Sequence, residues 1–204
     1  MRRRVMTLAL VLAMTAAGAG TAWAGIAGGP RDDRLVGNNR SNTIEGRGGS
    51  DIILGKGAID LLFGGPGGDL VRGGRGGDLM VGGPGGDRLV GQAGQDLLQG
   101  KRGFDLVWGG DGRDQLEGGG QDDWLYGNQD HDWLLGAGGE DNLVPGQGPD
   151  LVQAGPGNDS IWLGNDGVVD TIKCGAGEDT LYYGAEPTVL DDIAPSCEDV
   201  LPAP

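Results

Sequence analysis

Histidine, cysteine and aromatic side chains are scarce in this chain of 204 residues, which has one His, two Cys and only 5% Phe, Trp and Tyr. So few soft or imidazole ligands cannot furnish a structural zinc site. Cationic residues are scarce as well: 15 Lys and Arg stand against 30 Asp and Glu, a net charge of −15. A surplus of that sign repels phosphates, which excludes nucleic acid as a partner and disfavours anionic membrane surfaces. Long apolar runs are missing too, the best of them at residues 5–17 falling short of the roughly 20 residues a membrane span needs. What is abundant is glycine, with 46 residues, about three times the usual share of roughly 7%. Such a chain is either disordered or periodic, and its acidity points toward cations.

Residues 1–24 read as a signal peptide. Arg2, Arg3 and Arg4 form a basic start, residues 5–17 an apolar stretch, and Ala22-Trp23-Ala24 a small-residue cleavage site. Its removal leaves 12 Lys and Arg against 30 Asp and Glu, a charge of −18. The sequence thus predicts a secreted, extracellular protein with no membrane span in the mature chain. In an exported chain the pair Cys174 and Cys197 reads as a disulfide rather than two free thiols.

The mature chain is periodic at nine residues. Asp33, Asn42, Asp51, Asp60, Asp69, Asp78, Asp87, Asp96, Asp105, Asp114, Asp123, Asp132, Asp141, Asp150 and Asp159 are each nine apart, and after an insertion of two residues Asp170 and Asp179 continue the series. Two residues beyond each acid stands an apolar side chain, from Leu35 and Ile44 to Ile172 and Leu181, without exception over seventeen lines. In the cleanest stretch, residues 64–90, glycine occupies the first, second and fourth positions of each line: Gly64, Gly65 and Gly67, then Gly73, Gly74 and Gly76, then Gly82, Gly83 and Gly85. Glycine there permits positive φ and close backbone approach. The triplet around each apolar residue makes a strand with one side chain facing in and two facing out.

On this G-G-x-G-x-D-x-U-x pattern, residues 28–182 resemble the hemolysin-type (RTX) calcium-binding repeat family. The resemblance implies an all-β fold, a parallel β-roll or β-solenoid, in which six residues make a calcium-binding turn, three a strand, and two nonapeptides a coil. It also implies the ligands of several Ca²⁺ ions: the repeat aspartates, from Asp51 to Asp159, and backbone carbonyls of the glycine-rich turns, shared with the turn eighteen residues along. Independently of the family, a ligand set of carboxylates and carbonyls in flexible loops suits Ca²⁺ better than Mg²⁺. Arg31, Arg40, Gln121 and Asp130 replace the fourth-position glycine, and residues 165–168 carry the insertion. All five places are expected to disturb the ion lattice.

Catalysis finds little footing, and the sequence points to no enzyme. Nearly every acid is explained by its column, the pairs Asp32/Asp33 and Asp122/Asp123 fit solvated turns, and His131 sits at the variable fifth position with no partner at a catalytic spacing. Gly55-Lys56-Gly57 lacks the Ser or Thr of a phosphate loop. The alternative is a carbohydrate-active enzyme, or its accessory module, on a solenoid scaffold. The domain plan is a signal peptide at 1–24, the roll at 25–182 and a disulfide-linked C-terminal cap or tail at 183–204. One outer face is expected to gather Ile52, Leu54, Trp108, Trp124, Tyr126, Trp162 and Tyr182. These would either stack across strands or offer a surface to a glycan, a protein or a second copy.

Overall fold

A computed structural model describes residues 25–164, 166–183, 192–193, 197 and 199–202. The expected signal peptide lies outside the described residues, as do Asn165 of the insertion and most of the expected C-terminal tail. All regular structure in the described residues is strand. Twenty strands alternate between two ten-stranded parallel sheets, odd strands in one and even strands in the other. Each nonapeptide therefore crosses to the opposite sheet, and two of them complete a coil.

The register follows from the repeat. Leu62 pairs with Met80 and Val107 with Leu125, each eighteen residues on, so equivalent positions stack. Every apolar repeat residue from Ile44 to Leu181 is buried, and together they form one thin core between the sheets. A single inward side chain per nine residues suffices because the two sheets share it.

Strands are longer than the expected three residues. Most run six, as in Leu70–Arg75 and Leu106–Asp111, because pairing resumes in the first half of the turn. The turns themselves stack by hydrogen bonds: Gly65 N–H donates to Gly82 O at 2.8 Å and Gly67 N–H to Pro84 O at 2.9 Å. Part of the turn backbone that a loop would leave to water is thus paired between coils.

Glycine is required for different reasons at different positions. At positions two and four the backbone is left-handed, as at Gly65 (φ 108°) and Gly67 (φ 145°). At position one it is not. There the constraint is contact, since a Cβ on Gly64 would lie 2.3 Å from Asp69 Oδ2 and 2.7 Å from Gly82 O.

Toward the C-terminus position one gains side chains, Pro145, Ala154, Leu163 and Cys174, all buried. The last three join the core, which thickens there. Strands Asp192–Ile193 and Asp199–Pro202 pair with the preceding strands of the two sheets. Cys174 and Cys197 are disulfide-bonded, with Cα atoms 5.1 Å apart. The end expected to be a cap thus continues both sheets and is tied back by the bridge.

Candidate cation sites in the turn columns

The repeat acids fall into two columns, one along each edge of the roll. From Asp51 to Asp179 they are at most 4% exposed. Within a column each acid is tied to the next: the backbone N–H of Asp69 donates to Asp87 Oδ1, and that of Asp87 to Asp105 Oδ1, both at 2.8 Å. The ladder crosses the insertion, with Asp150 N–H donating to Asp170 Oδ1 at 2.8 Å across twenty residues rather than eighteen. Sheet pairing also continues past the insertion, Leu151 with Thr171.

The second carboxylate oxygen is left over. Oδ2 of every acid from Asp51 to Asp159 is buried and has no hydrogen-bond donor. From Asp51 to Asp141 it lies against the first-position glycine of its own turn, as Asp69 against Gly64, Asp78 against Gly73 and Asp87 against Gly82, where a Cβ would crowd it; Pro145 and Ala154 take that position in the turns of Asp150 and Asp159. Leaving such an acceptor buried and unpaired costs about 1–3 kcal/mol, more for a charged group.

One line places a different group there. In the turn ending at Asn42 the amide Nδ2 takes its place beside the first-position Gly37. It donates to the turn carbonyls Asn38 O, at 3.3 Å, and Arg40 O, and to Asp60 Oδ1 at 2.8 Å. In that turn the place is therefore rich in acceptors. A carboxylate oxygen put there meets other oxygens and calls for a positive group.

Electrostatics say the same. Burial pushes the Asp123 and Asp132 carboxyls up to about 8 and those of Asp78, Asp87, Asp114, Asp141 and Asp150 to about 7. The hydrogen bond from the preceding coil partly offsets this, while most of them are raised further by acids above and below in the column, as Asp123 is by Asp105 and Asp141. Among the described residues no three His, Cys, Asp or Glu side chains converge as a metal cluster. A cation here would have to draw most of its ligands from turn carbonyls, with about one carboxylate per turn, which is a hard, all-oxygen set.

The four turns without a fourth-position glycine do not behave alike. Gln121 (φ 80°) and Asp130 (φ 76°) adopt the left-handed backbone that glycine has elsewhere, whereas Arg31 and Arg40 do not. In the first of those turns Asp33 Oδ2 is satisfied, accepting Gly29 N–H at 2.6 Å.

The acid pairs separate. Asp123 points inward, while the exposed Asp122 accepts Glu140 N–H through Oδ1 at 2.8 Å, and Asp32 accepts Ser50 N–H likewise. These fifth-position acids fasten the next coil. His131 Nδ1 hydrogen-bonds to Pro149 O, at the rim of an open cleft of about 460 Å³ that also includes Arg113, Asp130 and Asp166.

On the outer face Trp108 stacks on Tyr126, with centroids 5.6 Å apart and planes 7° from parallel, and Trp162 stacks on Tyr182 at 4.0 Å. The rings are turned toward one another along the sheet. Among the described residues no helix is long and apolar enough to cross a membrane.

A family model described as the RTX calcium-binding nonapeptide repeat matches the chain in overlapping segments at 27–62, 54–89, 63–98, 90–125, 108–143, 117–152 and 136–167. Among curated proteins none gives a significant match.

Proposed function

Because the chain belongs to the RTX calcium-binding nonapeptide repeat family, we propose that it is a secreted calcium-binding roll whose folding is completed by the metal after export. The observation that supports this most is the row of buried Oδ2 atoms without donors, from Asp51 to Asp159. The residues that would hold the ions are the repeat acids from Asp51 to Asp159, with carbonyls of the intervening turns, including those around Gly64, Gly65 and Gly67, Gly73, Gly74 and Gly76, and Gly82, Gly83 and Gly85. Ca²⁺ supplies positive charge to an oxygen cradle and performs no chemistry. The chain's own residues do the rest. From Asp51 to Asp141 glycine at position one leaves room beside the carboxylate, and the N–H of each acid holds the carboxylate of the next coil in place.

Energetics favour a metal-gated fold. Each nine-residue line sets the burial of one apolar side chain against the conformational entropy of nine residues, and falls short. Strand hydrogen bonds narrow the gap, but the buried acids widen it. Metal binding, which is folding free energy when the site is absent from the unfolded chain, closes it. Extracellular calcium modules work at about 10⁻⁴ to 10⁻³ M, a range that keeps such a chain unfolded inside the cell and folds it outside. The stacked aromatics support a part in holding the sheet together.

The test is circular dichroism of the mature chain during a calcium titration. A disordered spectrum in chelator that converts cooperatively to β structure is expected. Full β structure in chelator would overturn the proposal.

A further inference from the structure

The ion column has a start that the repeat pattern does not mark. We propose that the first two turns form a cation-free cap in which protein hydrogen-bond donors take the part of the metal, and that the row of ion sites begins at Asp51. The inference rests on the calcium reading of the later turns.

Three observations carry it. Asn42 is 2% exposed, and its Nδ2 is surrounded by acceptors: the carbonyls of Asn38 and Arg40 and the carboxylate of Asp60. Only the NH₂ end of an amide can donate, so three acceptors around one atom identify it as nitrogen. Where every later acid up to Asp159 places an oxygen without a donor, this line places a donor. Second, Asp33 Oδ2 accepts the N–H of Gly29, four residues back in the same turn, at 2.6 Å. In the regular turns the N–H of that position pairs with the next coil, as Gly65 does with Gly82 O. Third, none of Gly29, Arg31, Asn38 and Arg40 has a positive φ, whereas both turn positions do in the following line, at Arg47 (φ 80°) and Gly49 (φ 103°). The first two turns therefore have another backbone path as well as another way of satisfying their polar groups.

A solenoid needs such a device. An ion site built from stacked turns takes support from the coils on either side, and the first strands of each sheet, Gly25–Ala27 and Arg34–Val36, have a sheet neighbour on one side only among the described residues. An amide donor requires no free calcium, so the cap offers the first ion site at Asp51 a preformed wall.

Calcium bound per chain at saturation, measured by equilibrium dialysis with calcium alone, tests the inference, with circular dichroism to confirm folding. Asn42→Asp should bind one more ion than the parent chain, because a carboxylate there leaves the carbonyls of Asn38 and Arg40 without a donor. Asn42→Ala should bind the same number as the parent, at a several-fold higher calcium midpoint. Asp51→Asn should bind one fewer. A folded Asn42→Asp chain with an unchanged count, or an Asn42→Ala chain that loses an ion, would overturn the cap. If Asn42→Asp fails to fold even in calcium, the Asn42→Ala count decides alone. A parent chain that binds no calcium would defeat the calcium reading itself, and the cap with it.

Discussion

The backbone N–H of Asp78 donates to Oδ1 of Asp96 at 2.7 Å, eighteen residues along. Each repeat acid thus has two tasks: Oδ1 clamps the coil before it, and Oδ2 is left for a cation. Removing one such side chain in the middle of a column breaks a clamp and a site together. We expect Asp78→Ala to raise the calcium midpoint for folding at least tenfold, the equivalent of about 1.4 kcal/mol, which is modest beside the cost of an orphaned buried N–H. Asp33→Ala, in a half-buried turn before the proposed row of ion sites, should shift it far less. Equal shifts in paired calcium titrations would sink this account.

Glycines of the repeat should differ sharply in tolerance. A Cβ on Gly64 would meet Asp69 Oδ2 at 2.3 Å, while one on Gly120 has nothing nearer than 3.8 Å and no positive φ to hinder it. Gly64→Ala should therefore cost about 1–3 kcal/mol as an overpacked site and lower the number of ions bound. Gly120→Ala should stay within about 0.5 kcal/mol of the parent. Denaturation of both variants in saturating calcium would show the contrast or its absence.

The fold was legible because one apolar residue recurs every nine positions, and no other architecture buries so sparse a pattern evenly. The columns of acids were legible for the same reason. Other features depend on partners eighteen residues away, which spacing alone does not show. Of the two reasons for glycine, positive φ and close approach, only the second applies at the first position, where Oδ2 of the same turn sets it. Arg31, Arg40, Gln121 and Asp130 look equivalent as replacements for glycine. Yet Gln121 and Asp130 sit between regular coils whose hydrogen bonds force the left-handed backbone, while Arg31 and Arg40 lie where the stack begins. Asn42 read as a lapse in residue type. Its amide donors could have been weighed against the acceptors of a glycine-rich turn, and that was the signal available.

The bridge from Cys174 to Cys197 joins the wall of the last regular turn to the segment between the final two strands. With a separation of 23 residues, closing that loop contributes about 3 kcal/mol in the chain-entropy model. A Cys174→Ser, Cys197→Ser chain should need several-fold more calcium to fold, and hydrogen exchange should rise first at Thr180–Tyr183, whose outer neighbour in the sheet is the strand beyond the bridge. Uniform loss of protection along the roll would count against a local role.

In the absence of calcium, acid should stabilise the roll. The repeat acids titrate near the ordinary value of about 3.9 when unfolded. In the fold burial lifts those from Asp60 to Asp159, to about 6 for Asp96, Asp105 and Asp159 and to about 8 for Asp123 and Asp132. The folded state therefore binds more protons than the unfolded one between those limits, so stability falls as pH rises. The contribution is complete below about pH 4, where both states are protonated, and disappears as pH climbs through 6 to 8. Calcium acts in the opposite sense, since it binds the ionised carboxylates and must displace their protons. Chelated protein should therefore gain β structure on acidification from pH 8 to pH 5, while the calcium midpoint should rise over the same interval, with protons released on binding at pH 7. Circular dichroism at several pH values, with and without calcium, separates the two effects. A chelated chain with most β structure at pH 8 would show that the columns are not the buried, cation-seeking groups described here.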